Sequence, residues 1–264
     1  MCGIFGIALR EPTSITDILR TLERLEVQQL AGEPNPVGGY GAGIAVLTNE
    51  GEIVCEKIGK VEGSPAKSLA ELVTKTRIPD SAVVLGHVRM PLPEFMHTAK
   101  MKETAQPYVA QSGKNIAVAC VHNGMIDNYE EIRKELGPKH ILESEKIGLI
   151  DSEVVPHFFC DLLEASDDSN QALRSLFCGL KGTGAIGLLH VDDEDSIIHV
   201  VHIGKTRGLV IWTNDRNEVL FCSRREPVTE MMHHVLAKHK FKERISIGYR
   251  EEMGLQVSFP FIWG

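Results

Sequence analysis

Apolar and polar positions alternate along this chain with two different periods. Residues 2–9 (CGIFGIAL) are an apolar run without polar interruption, as expected of a strand buried on both faces. From Ser14 the spacing changes: Ile15, Ile18, Leu19, Leu22 and Leu25, with Leu30 beyond, recur three and four apart. That period predicts a helix, with Ser14 as its cap. Residues 43–48 and 52–58 predict a hairpin across Asn49-Glu50-Gly51, and Ser64-Pro65 opens another helix with serine at the cap and proline in the first turn. Residues 81–89 (SAVVLGHVR) predict a buried strand ending in a charge. From Met90 to Gln106 no period holds, and a stretch of that length in a compact domain is usually a lid or a binding loop. A second hairpin is predicted over 107–111 and 116–122, then a helix capped by Asn128 and stopped at Leu136 by Gly137-Pro138. Helices over 152–164 and 169–180, strands over 184–192, 196–203, 207–213 and 217–222, a helix from Pro227 to His239 and two last strands complete the pattern. Strands in hairpins and helices in two batches predict an α+β fold of antiparallel sheets covered by helices.

The 264 residues are 43% hydrophobic and 24% charged, the mix of an ordinary globular protein, read here as a single domain over residues 2–264. With 28 Lys+Arg against 36 Asp+Glu the formal charge is −8, and no basic patch stands out, which argues against nucleic acid or an anionic membrane as partner. No secretory signal opens the chain, so a cytoplasmic location with reduced thiols is expected. The six cysteines form no C-x-x-C pair, and five of them sit in apolar segments and read as buried hydrophobes. The histidines, including the His233-His234 pair, fit no metal spacing, and no phosphate-cradling motif is present, so no metal and no cofactor are expected.

Cys2 differs from the other cysteines in its place. Once Met1 is removed, as is usual before a small residue, its thiol and a free α-amino group belong to one residue. The thiol is a strong nucleophile that is mostly protonated near neutral pH, and an amine of pKa about 7.7–8.0 can take that proton. Three further segments bear on this. Arg89 ends an apolar strand just before the long loop; it reads as a solvated strand-end charge or as a fork for a carboxylate. Asn123-Gly124 reads as a turn, or as a side-chain N–H and a backbone N–H aimed at one oxygen, the construction of an oxyanion hole. Asp151 reads as an N-cap or as the partner of an ammonium group.

Taken together and in order, these segments resemble the class II (N-terminal nucleophile) glutamine amidotransferases. CGIFG matches the family's opening, GHVRM its G-H-T-R segment, VHNGMIDNYEEIRKEL its H-N-G helix segment, and IDSEVV its D-[ST]-E-V signature, while TGAIGLLH and CSRREPV look like its later strands. The resemblance covers residues 2–228. It implies the four-layer αββα sandwich of the Ntn hydrolases and a glutaminase half-reaction: Cys2 as nucleophile, Asn123 and Gly124 as oxyanion donors, and Arg89 and Asp151 as ligands of the α-carboxylate and α-amino group of L-glutamine. It also implies a synthase that uses the ammonia, and with so few residues after position 228 that synthase is expected to be a separate subunit, with self-association left open.

The pattern departs from the family in two places. Residues 37–43 (VGGYGAG) lack the arginine and acid that many members carry there, and the loop after Arg89 reads MPLPEF in place of an aromatic and A-T-H-G. Thr98 and His97 are candidate contacts in that loop. The apolar tail 257–263 reads either as a docking surface or as a terminal strand packed on its own core. Two other readings stay open: a binding or regulatory subunit of the same fold without turnover, and an N-terminal-cysteine hydrolase of other amides.

Overall fold

A computed structural model describes residues 2–30, 33–113, 115–166, 168–193 and 196–261. Met1 and the Ile262-Trp263 end of the apolar tail lie outside the described residues. The strands are β1 (Gly3–Thr13), β2 (Gly41–Leu47), β3 (Ile53–Gly59), β4 (Ser81–Val88), β5 (Tyr108–Gln111), β6 (Ala117–Ile126), β7 (Gly182–Val191), β8 (Ser196–Ile203), β9 (Lys205–Thr213), β10 (Val219–Cys222), β11 (Lys242–Glu252) and β12 (Leu255–Phe261). The helices are α1 (Ile15–Glu26), α2 (Pro65–Thr76), α3 (Tyr129–Leu136), α4 (Val154–Glu164), α5 (Ser169–Gly179) and α6 (Glu226–His234). Seven strands form one sheet in the order β11-β9-β10-β1-β4-β2-β3, and five form a second in the order β12-β8-β7-β6-β5.

Three layers of apolar contact hold these elements together. Ile18, Leu22 and Leu25 of α1, with Leu69 of α2 and Val228 and Met231 of α6, pack on Phe5, Ile44 and Val84 on one face of the larger sheet. Ile132, Phe159 and Leu173 of α3, α4 and α5 pack on Val118, Cys120 and Ile186 on one face of the smaller sheet. Between the sheets lie Ile4, Leu85, Val121, Leu189, Ile211 and Phe221. Each sheet therefore buries both faces, one on helices and one on the other sheet, which makes the α+β, four-layer αββα arrangement. The unbroken apolar runs of β1 and β4 follow from that double burial.

Several local readings change in the structure. The N–H of Ile15 at the start of α1 is satisfied by Asp80 Oδ1 (2.9 Å), and Ser14 makes no side-chain cap. Ser64 does cap α2, accepting from Lys67 N (3.2 Å). Asn128 does not cap α3; its amide donates to Gly179 O (2.9 Å) and accepts from Lys181 N (2.8 Å), tying the start of β7 to the α3 entry. The helix expected over 227–239 is broken into α6 and a 3-10 turn at Ala237–His239. Of the five cysteines read as buried, Cys120, Cys160 and Cys222 are, Cys55 is half-buried and Cys178 is exposed. The tail up to Phe261 is an edge strand paired with β8, with Val257 and Phe259 packed on the apolar layer between the sheets.

Candidate active site

The register of β1 and β4 sets the position of the cysteine. Gly3 pairs with Val88, so Cys2 just before it meets the chain leaving β4, where Arg89 and Met90 follow. Its Sγ lies 3.4 Å from both the N–H and the carbonyl oxygen of Met90. Across the interlayer space, β6 does not stop at the predicted position 122. It runs on through Asn123, which pairs with Ala185, and Gly124, which pairs with Gly184. Asn-Gly is thus part of a strand, not a turn. A Cβ at Gly124 would fall inside contact distance of Thr183 O on β7, so only glycine permits this pairing. Cys2, Arg89, Asn123, Gly124 and Asp151 all line one cleft, together with Leu92, Phe95, Gln106 and Ser152.

Arg89 is only 4% exposed. Its Nη1 donates to Thr104 Oγ1 (2.6 Å) and its Nη2 to Thr98 Oγ1 (2.8 Å), and it forms no ion pair among the described residues. Burial pulls the guanidinium below its usual range, opposed by Tyr108, Cys2 and Asp151. A buried cation held by neutral hydroxyls has donors left for an anionic ligand. Both threonines come from the stretch after Met90, which folds as two 3-10 turns, Pro93–Thr98 and Lys102–Thr104. Thr104 Oγ1 also donates to Thr98 O (2.9 Å), which closes the stretch over the arginine.

Asp151 opens a 3-10 turn (Asp151–Glu153) that leads into α4, and it caps neither. Its Oδ2 accepts from the N–H of Ile126 (2.9 Å), which pins the acid to the end of β6. Burial raises its carboxyl to about 6, against the lowering effect of the Ile126 and Ser152 hydrogen bonds. Ser223, after β10, accepts from Ile4 N (2.9 Å) and from Asn123 Nδ2 (3.3 Å), linking the cysteine-bearing strand to the amide of β6. His87 lies wholly buried on β4, and burial holds it neutral, well below the ordinary histidine range.

The structure therefore brings all five residues singled out in the sequence into one cleft. Sequence reasoning missed Thr104, Gln106, Ser152 and Ser223, and it left Thr98 undecided. His97 is not among the residues lining the cleft.

The family model described as "Glutamine amidotransferase domain" matches residues 94–230, more than half of the chain. The chain belongs to the class II glutamine amidotransferases. Among curated relatives, the isomerizing glutamine–fructose-6-phosphate aminotransferase of Streptomyces coelicolor is 32% identical over 202 residues, covering 75% of this chain and 28% of that protein. The enzyme of the same name from Thermus thermophilus is 33% identical over 202 residues, with the same coverage. The amidotransferase chain thus spans 28% of the length of these relatives. Two solved structures share the fold. The allosteric regulatory enzyme of purine biosynthesis superposes with a TM-score of 0.64 at 19% identity, over 94% of this chain and 45% of that one. Glutamine phosphoribosylpyrophosphate amidotransferase from B. subtilis gives a TM-score of 0.61 at 18% identity, over 94% and 46%. Among the described residues of the amidotransferase no helix is long and apolar enough to cross a membrane.

Proposed function

We propose that this cleft carries out the glutaminase half-reaction of an amidotransferase, with residues 2–264 acting as one glutaminase domain. Removal of Met1 gives Cys2 a free α-amino group, which takes the Sγ proton as sulfur attacks the carboxamide carbon of L-glutamine. The carbonyl electron pair moves onto oxygen, where the Asn123 amide and the Gly124 N–H stabilise the charge. Collapse of the tetrahedral adduct breaks the C–N bond. The protonated amine returns its proton to the leaving nitrogen, and ammonia departs. Water then attacks the γ-glutamyl thioester with the same amine as base, releasing glutamate and restoring the thiol. The ammonia passes to a separate synthase chain.

The observation that carries this reading is the pairing of opposite charges in the cysteine's cleft. Arg89 is buried and free of any acidic partner among the described residues, and Asp151, 4% exposed, is set to ionise near neutral pH. One cation and one anion are what the α-carboxylate and α-ammonium of a free amino acid require. A peptide or a simple amide would leave at least one of them uncompensated.

Intact mass before and after 6-diazo-5-oxo-L-norleucine tests the reading. A single adduct is expected on Met1-free protein, absent from Cys2→Ala and suppressed by excess glutamine. An unmodified, correctly trimmed chain would overturn it in favour of a binding subunit without turnover. An adduct that glutamine fails to suppress would point to another amide.

A further inference from the structure

Gln106 has no role in the chemistry above, yet it is one of the most completely bonded side chains in the cleft. It is 5% exposed. Its Nε2 donates to the carbonyl oxygen of His122 (3.2 Å) and to Ser152 Oγ (3.1 Å), and its Oε1 accepts from the N–H of His122 (2.6 Å). His122 is the residue before Asn123, and Ser152 is the residue after Asp151. Ser152 Oγ in turn stands 2.9 Å from His122 Nδ1 and donates to Asp151 Oδ1 (3.4 Å).

We propose that Gln106 is the positioning residue of this site: one neutral carboxamide that holds the oxyanion strand and the ammonium-binding acid in register with each other. The inference rests on the glutaminase reading. A primary amide suits the task for two reasons. It supplies two N–H donors and an acceptor from one planar head, which matches the N–H and C=O of a single residue on β6 plus a hydroxyl on the neighbouring turn. It also carries no charge. An arginine here would offer no acceptor to the His122 N–H and an ionised glutamate no donor to His122 O, and either would add a charge that competes with Arg89 or Asp151 for the substrate. Because the grip is on main chain at His122, it fixes the direction of β6 at Asn123 without touching the reacting atoms. Through Ser152 it limits where Asp151 can settle. Placement errors of about 1 Å at such groups are costly, since the donors must meet the oxygen in its transition-state position.

The test is Gln106→Glu, with Ser152→Ala as companion, in trimmed protein whose melting temperature is recorded. A protonated carboxyl still accepts from His122 N and donates one bond. An ionised one sets an oxygen against His122 O. The activity of Gln106→Glu relative to the parent at the same pH is therefore expected to rise as pH falls from about 8 towards about 5, the range in which a buried carboxyl takes up its proton. At the high end kcat should drop by roughly tenfold or more, the scale of a buried hydrogen bond lost and left unsatisfied. Ser152→Ala, which leaves the His122 grip intact, is expected to raise KM for glutamine more than it lowers kcat. Hydrogen exchange gives a readout independent of turnover: amides 122–124 should lose protection in Gln106→Glu at high pH while those of the remote helix α2 keep theirs. A pH-independent ratio, or unchanged protection at 122–124, would overturn the positioning role while leaving the Cys2 reading intact. A parent protein that fails to react at Cys2, with the exchange effect present, would overturn the glutaminase reading and retain the grip.

Discussion

A carboxyl taken out of water resists ionising, and Asp151 shows both the cost and the use of that resistance. Held near 6 by burial, it is charged at neutral pH but close to the point of losing that charge. Its folded value lies above the unfolded one of about 3.9, so the empty site is most favourable to the fold below about pH 4, and that contribution is lost as pH rises through about 6. An α-ammonium bound there, as proposed, would offset the loss by favouring the ionised form. For the proposed activity the sign runs the other way: protonation would remove the charge that faces the α-ammonium of glutamine. Protonation of the Cys2 amine already lowers log kcat/KM below about pH 8, and Asp151 is expected to steepen that fall by a further unit of slope below a break near pH 6, while in kcat this second break lies at lower pH because bound ammonium would lower the carboxyl. Asp151→Asn should raise KM and abolish the break near 6; a break there that survives the substitution would assign it to another group. Arg89 is the counterpart, a cation whose local bonds are all to hydroxyls. The receptor role proposed for it rests on what it is not paired with among the described residues, and such an absence has no signature in a sequence.

Strand β6 is where the sequence and the structure part most instructively. Its apolar run ends at Val121, and His122-Asn123-Gly124 contains the residues of a turn, so the pattern predicts that the strand stops there. It continues because β7 faces it with glycines at 182 and 184, whose φ of +143° and +148° let the two backbones approach. Gly124→Ala would push a methyl into Thr183 O and force the ladder open at the proposed oxyanion position. The expected outcome is a loss of about 1–3 kcal/mol in thermal or denaturant unfolding together with a collapse of kcat; unchanged stability would mean that the pairing is looser than described. The residues legible in the sequence are those whose meaning is local or carried by a motif: Cys2 by its place, Arg89 at a strand end, Asp151 at a helix start. Thr98 and Thr104 sit in 3-10 turns without a repeating period, and Asp80 caps α1 from 65 residues away. Contacts of that kind are decided by the tertiary fold, so a pattern of hydrophobicity cannot reveal them. The hairpins and amphipathic helices are readable because burial writes its period directly into the sequence.

At the scale of the molecule, the two sheets meet through a single apolar layer. Phe221 on β10 is fully buried there, its ring lodged where a side chain at Gly6 of β1 or at Gly187 of β7 would have to go. Two glycines, one in each sheet, make room for one phenyl ring. Phe221→Ala is therefore expected to cost about 3–5 kcal/mol, because the backbones lining the void belong to hydrogen-bonded strands that cannot collapse into it. A loss near ~1 kcal/mol in a denaturant titration would show that the sheets close up. The four-layer order that the family resemblance implied, with the antiparallel sheets read from hairpins and helix batches, is the one found, and it explains why solved structures below 20% identity still superpose over 94% of the chain. What must be kept is the alternation of buried faces, which many sequences satisfy.

The same layering separates the parts of the cleft. Cys2 and Arg89 flank strands β1 and β4 of the larger sheet, Asn123 and Gly124 lie in the smaller, and Ser223 ties one to the other. Interlocking apolar faces hold both the distance and the offset of the sheets well enough for folding, but a shift of about 1 Å that folding tolerates is costly to catalysis. Catalysis in such a design works like a vernier: it reads the sliding of one plate over the other at a resolution far finer than folding demands. Warming or pressure that leaves every strand paired can still bring the scale out of alignment, so the molecule should fall silent while it is still folded.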